Sequence, residues 1–106
     1  MLPGRILVIF IGMIWEINSV SAYAETIQVT IDKLVFSPAQ INVKAGDTVT
    51  WINKDIVAHT ATVRGGFDVM IEASGSASVV LTKAGIVEYY CRFHPNMKGR
   101  ITVTPE

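Results

Sequence analysis

Residues 40–53 read QINVKAGDTVTWIN: two alternating apolar and polar runs, QINV and TVTWIN, on either side of the turn signal KAGD. A period of two places Val49 and Trp51 together on one face of an extended strand, with Thr50 and Ile52 on the other. Trp51 then belongs to a core. The same texture continues in both directions. Upstream lie TIQVTI (26–31) and KLVF (33–36), broken at Ser37 and Pro38. Downstream lie AHTATV (58–63), closed by Gly65 and Gly66, then SASVVL (76–81), IVEYYC (86–91) and RITV (100–103). Strand-length runs with regular turn signals and no amphipathic helix predict an all-β sandwich or barrel of about eight strands. There is no internal repeat, low-complexity tract or linker.

The N-terminus has a different character. Arg5 precedes an apolar run, ILVIFIGMIW (6–15), and polar Glu16, Asn18 and Ser19 lead to Ala22 and Ala24 before Glu25. A positive start, a short apolar stretch and a small-x-small site are the layout of a secretory signal peptide. The run falls short of the roughly 20 residues that span a bilayer. The expectation is a cleaved signal over residues 1–24 and one domain over residues 25–106, exported to the periplasm. Lys plus Arg and Asp plus Glu both count 9, for a formal charge of zero. That balance gives no footing for nucleic-acid binding, which needs a basic face.

The chain has one cysteine and two histidines. Cys91 cannot form an internal disulfide, and an odd thiol in an exported protein is a hazard unless something occupies it. It stands in YYCRFHPNMKG (89–99), where His94 follows three residues on and Met97 three beyond that. In a sandwich, strand ends remote in sequence meet at one pole, which lets His59 reach this turn. Two imidazoles, a thiolate and a thioether are the ligand set of a type 1, blue-copper electron-transfer site. Zinc has little use for a methionine ligand, a c-type haem requires a second cysteine, and a Cys–His nucleophile lacks an orienting partner. Pro95 stiffens the turn by fixing φ, and an electron carrier gains from ligands that barely move.

VTWIN (49–53), His59 and YYCRFHPNMKGRITV (89–103) together resemble the amicyanin group of the cupredoxins, whose ligand loop is a short CxxHxxM. The resemblance implies a cupredoxin-like Greek-key sandwich holding one copper that cycles between Cu(I) and Cu(II). It implies His59, Cys91, His94 and Met97 as ligands, His94 as the surface electron port, and single-electron transport rather than enzyme catalysis. It also implies a monomer with redox-protein partners: a quinoprotein amine dehydrogenase as donor and a c-type cytochrome as acceptor. The chain departs from the group at Ala58, where Pro is usual, and at Thr60, where an Asn side chain normally bonds across to the ligand loop and a hydroxyl is offered instead. Phe93 replaces a Pro and Asn96 an aromatic residue, which alters the docking face. A copper-delivery protein is the alternative function, but Met70 and Met97 are the only methionines beyond the signal. Lys54, Asp55, Arg92, Lys98 and Arg100 are expected to form a solvated rim near the copper pole.

Overall fold

The computed structural model describes residues 23–106, so the expected signal peptide lies outside the described residues except for Tyr23 and Ala24. Nine strands follow in order: β1 (Thr26–Asp32), β2 (Val35–Ser37), β3 (Gln40–Lys44), β4 (Thr48–Asn53), β5 (His59–Thr62), β6 (Asp68–Ile71), β7 (Ser76–Val80), β8 (Gly85–Tyr90) and β9 (Lys98–Thr104). They form two sheets, β2-β1-β4-β7 and β3-β9-β8-β5-β6. Pairing is antiparallel except for β1 with β4 and β3 with β9, which run parallel. Among the described residues no helix is long and apolar enough to cross a membrane. The all-β sandwich expected from the alternation is the one observed.

Each strand turns its apolar alternate residues to the space between the sheets. Val29 and Ile31 of β1, Val49 and Trp51 of β4, and Ile101 of β9 are fully buried. The centre is aromatic: Tyr89 packs edge-on against Phe36 at 4.8 Å and against Trp51 at 5.3 Å between ring centroids. Rings of this size remove about 150–250 Å² each from water, a gross gain near 4–6 kcal/mol apiece at 25 cal/mol per Å². Gly99 is required beneath them, because a Cβ there would overlap the Tyr89 ring.

Three local findings differ from the sequence pattern. The run at 33–36 is a strand only from Val35, since Lys33 (φ 54°) and Leu34 (φ 64°) form the hairpin turn between β1 and β2. β6 gives no alternating signal because Met70, on an edge strand, is exposed. β5 is buried at all four positions, including both its threonines, although period-2 reading places Thr60 and Thr62 on the face away from His59 and Ala61.

Candidate metal centre

The centre is built at one pole of the five-stranded sheet. β5 opens with His59. Cys91 is the first residue past β8, and the chain re-enters the sheet at β9 just after Met97. The loop between is pulled tight by two main-chain bonds, Cys91 N–H to Met97 O at 3.1 Å and Met97 N–H to His94 O at 2.9 Å. Ladders on both sides therefore hold a turn that carries three of the four candidate ligands.

His59 and Cys91 come together across 32 residues of sequence, with Cys91 Sγ 3.7 Å from His59 Nδ1 and 3.9 Å from His94 Nδ1. All three donor atoms lie within 4.8 Å of one another. First-row metal bonds of about 2.0 Å to nitrogen and 2.3 Å to sulfur, at about 120°, place N and S about 3.7 Å apart. The observed separations meet that requirement, so an ion fits between the three donors. Among the described residues no carboxylate joins the cluster, and two nitrogens with one sulfur suit copper better than a hard cation. Met97, 4 % exposed, is buried at the same pole and lines a shallow crevice with Leu34, Phe93, His94, Pro95 and Asn96. His59 and Cys91 are fully buried, whereas His94 keeps a partly exposed edge.

The surroundings orient the donors. His59 Nε2–H donates to Asp55 Oδ2 at 2.8 Å, which leaves Nδ1 as the unprotonated nitrogen facing the sulfur. Asp55 also accepts from Lys33 N at 2.7 Å and Leu34 N at 3.0 Å. One carboxylate thus ties a buried imidazole to the turn whose Leu34 borders the crevice. Desolvation pushes the Asp55 carboxyl up, but the bonds from Leu34, His59 and Lys33 outweigh it and hold it below its ordinary 3.8. Asn53 organises the loop that carries Asp55. Its Nδ2 donates to Val57 O, Ile71 O and Glu72 O, and its Oδ1 accepts from Asp55 N. Thr60 N–H points at Cys91 Sγ from 3.4 Å. Its hydroxyl accepts from Arg92 N at 2.8 Å, so it bonds to the ligand loop in place of the carboxamide usual there.

Of the expected rim, Lys54, Arg92, Lys98 and Arg100 are exposed, and Asp55 is the exception. Asp55 turns inward to His59, Arg92 pairs with Asp68 at 3.0 Å and Arg100 with Glu88 at 2.8 Å. Sequence reasoning missed Asn53, Asp55, Thr62 and Asp68 as supports of the site. A signal existed for Asn53, since period two carries the Val49 and Trp51 face on to it and a polar residue on an apolar face needs partners.

Comparison with known proteins yields a consistent set. The cupredoxin-like domain family matches residues 4–103. Amicyanin of Paracoccus denitrificans is 33% identical over 84 residues, covering 73% of this chain and 64% of that protein. The chain thus spans slightly less than two thirds of that relative's length. Amicyanin-alpha of Methylorubrum extorquens is 32% identical over 89 residues, covering 77% of this chain and 75% of the relative. A solved structure of the Cu(I) form of an amicyanin variant superposes with a TM-score of 0.68 at 33% identity, covering 80% of this chain and 86% of that one.

Proposed function

This chain belongs to the cupredoxin-like family, as an amicyanin-like member, and we propose that it shuttles single electrons by way of one copper ion held by His59, Cys91, His94 and Met97. The observation that carries the reading is the buried triangle of Cys91 Sγ with the two Nδ1 atoms, at 3.7 and 3.9 Å. Bound copper supplies a one-electron couple between Cu(I) and Cu(II). The rest is the work of the chain. Asp55 fixes the tautomer and ring direction of His59, the main-chain bonds of the 91–97 turn fix Cys91 and Met97, and the Thr60 N–H stabilises negative charge on the sulfur. Donors held this firmly move little between oxidation states, which keeps transfer fast. His94 is the donor with an exposed edge, so electrons enter and leave there, over the crevice bordered by Leu34 and Phe93.

The partners follow from the same reading. They are redox proteins, with a quinoprotein amine dehydrogenase as donor and a c-type cytochrome as acceptor, met by a monomer in the periplasm. The apolar run over residues 6–15 and Ala22 and Ala24 support export. Burial of His59 and Cys91 disfavours copper delivery, which needs ligands that a partner's ligands can reach. The visible absorption spectrum of the purified protein with added Cu(II), beside Cys91→Ala, tests the proposal. An intense blue band lost in the variant is expected, with a reversible one-electron wave in voltammetry. A protein that stays pale with Cu(II) overturns it.

A further inference from the structure

We propose that Thr62 and Asp68 are positioning residues for the metal centre, closing with Thr60 and Arg92 a hydrogen-bond ring that holds the ligand loop against β5. β5 and β8 share a single backbone pairing, Thr62 with Tyr90. Further toward the pole, the main-chain N–H of Arg92 meets the Thr60 hydroxyl at 2.8 Å instead of a strand carbonyl. A side chain therefore continues the ladder where the backbone stops.

The direction of every proton in the ring is determined. The Thr62 hydroxyl donates to Asp68 Oδ1 at 2.7 Å. A hydroxyl has one proton, so in its 2.9 Å contact with Thr60 it accepts and Thr60 donates. Thr60 in turn accepts from Arg92 N–H, and Arg92 Nε donates at 3.0 Å to the same Asp68 oxygen. Arg92 therefore donates at both ends, from its backbone through the two hydroxyls and from its side chain directly, and both paths end on Asp68 Oδ1. Thr60 is fully buried and Thr62 is 7 % exposed, so a break strands a hydroxyl away from water. An exposed Asp–Arg pair by itself contributes little. Here it terminates a buried chain that fixes two residues flanking the sulfur, Thr60 after His59 and Arg92 after Cys91. With Thr60 held, its N–H stays aimed at Sγ, and hydrogen bonding at that sulfur is a lever on the redox potential.

The ring itself stands on the hydrogen bonds, while its redox consequence rests on the copper-carrier reading. The test is amide exchange of Arg92 and Thr60 by NMR in the metal-free full chain, together with the midpoint potential of the copper-loaded chain. Thr62→Val keeps the shape and removes the relay. It is expected to speed exchange at Arg92 about tenfold, the worth of one buried hydrogen bond, with Ile101 unchanged. It is also expected to lower the potential, because a loosened N–H stabilises the electron-rich Cu(I) thiolate less. Thr62→Ser restores the hydroxyl and is expected to restore both readings. Asp68→Ala, at the half-exposed end of the ring, gives a smaller change in the same direction without threatening the fold. Wild-type exchange at Arg92 in both Thr62→Val and Asp68→Ala, or no recovery in Thr62→Ser, overturns the proposal. If the wild type takes no copper into a blue site, the carrier reading falls and the exchange data still decide the ring.

Discussion

Asp55 ties the buried His59 to the turn at Lys33 and Leu34, so its loss is costly although it is not itself a ligand. In Asp55→Ala the His59 Nε2–H, on a side chain with no exposure, loses its acceptor. An orphaned buried donor costs about 1–3 kcal/mol. The N–H groups of Lys33 and Leu34 can turn to water and add less, about 1 kcal/mol between them. They also release a turn in which both residues sit at positive φ, where an L side chain is disfavoured by about 1–2 kcal/mol. A loss near 3 kcal/mol follows, and at about 4–8 °C per kcal/mol for a small domain the melting temperature falls by about 10–25 °C. Asp55→Asn is the finer probe. Oδ2 serves Leu34 and His59 while Oδ1 serves Lys33, and a carboxamide has one acceptor oxygen, so its NH₂ must face a donor on one side. Asp55→Asn is expected to fall between wild type and Asp55→Ala. Thermal unfolding of the metal-free forms, followed by near-UV circular dichroism, measures this, and competition with a chelator should show copper held about 10–100-fold less tightly. Melting of metal-free Asp55→Ala within about 2 °C of wild type, well under the shift of a single kcal/mol, would refute the reasoning.

Gly99→Ala places a methyl into the Tyr89 ring, which cannot retreat because Phe36 and Trp51 pack against it. A loss of about 3 kcal/mol, at the upper end of overpacking costs, is expected in urea unfolding, and a loss below about 0.5 kcal/mol counts against so rigid a core. Acid is expected to destabilise the protein through the carboxylates whose folded values are depressed. Asp47 is held down by the N–H groups of Lys44 and Glu25, and Asp55 by bonds that overcome its desolvation. The sign follows from proton binding: below the ordinary value of 3.8 the unfolded chain takes up protons that the folded one refuses, so stability present above that pH is lost as pH falls through the lower folded values. Unfolding free energies measured from pH 6 to 2 should be flat at first and then decline. A flat profile throughout is incompatible with those bonds.

The architecture was legible wherever the signal is local. TVTWIN announces its own inward face through Val49 and Trp51, and both are fully buried. The even spacing of Cys91, His94 and Met97 likewise lies within one turn, so chemistry and position could be read together. β6 was not legible, because an edge strand can leave an apolar residue such as Met70 in water without penalty, and the alternation disappears. The turn at Lys33 and Leu34 was hidden for another reason. Neither residue favours positive φ, and what holds them there is a carboxylate more than twenty positions away.

By itself the sequence determined the all-β class, the inward face of strands such as TVTWIN and the kinds of donor atoms available. Only the tertiary structure decided that the lone thiol and the two imidazoles converge, and which polar groups hold them. Period and spacing are properties of neighbouring residues, so they survive in the linear text. A hydrogen bond depends on distance and direction between groups that the fold brings together, as with Thr60 and Arg92, 32 residues apart. A threonine or an aspartate reads the same in sequence whether it meets water or closes a ring behind a cysteine.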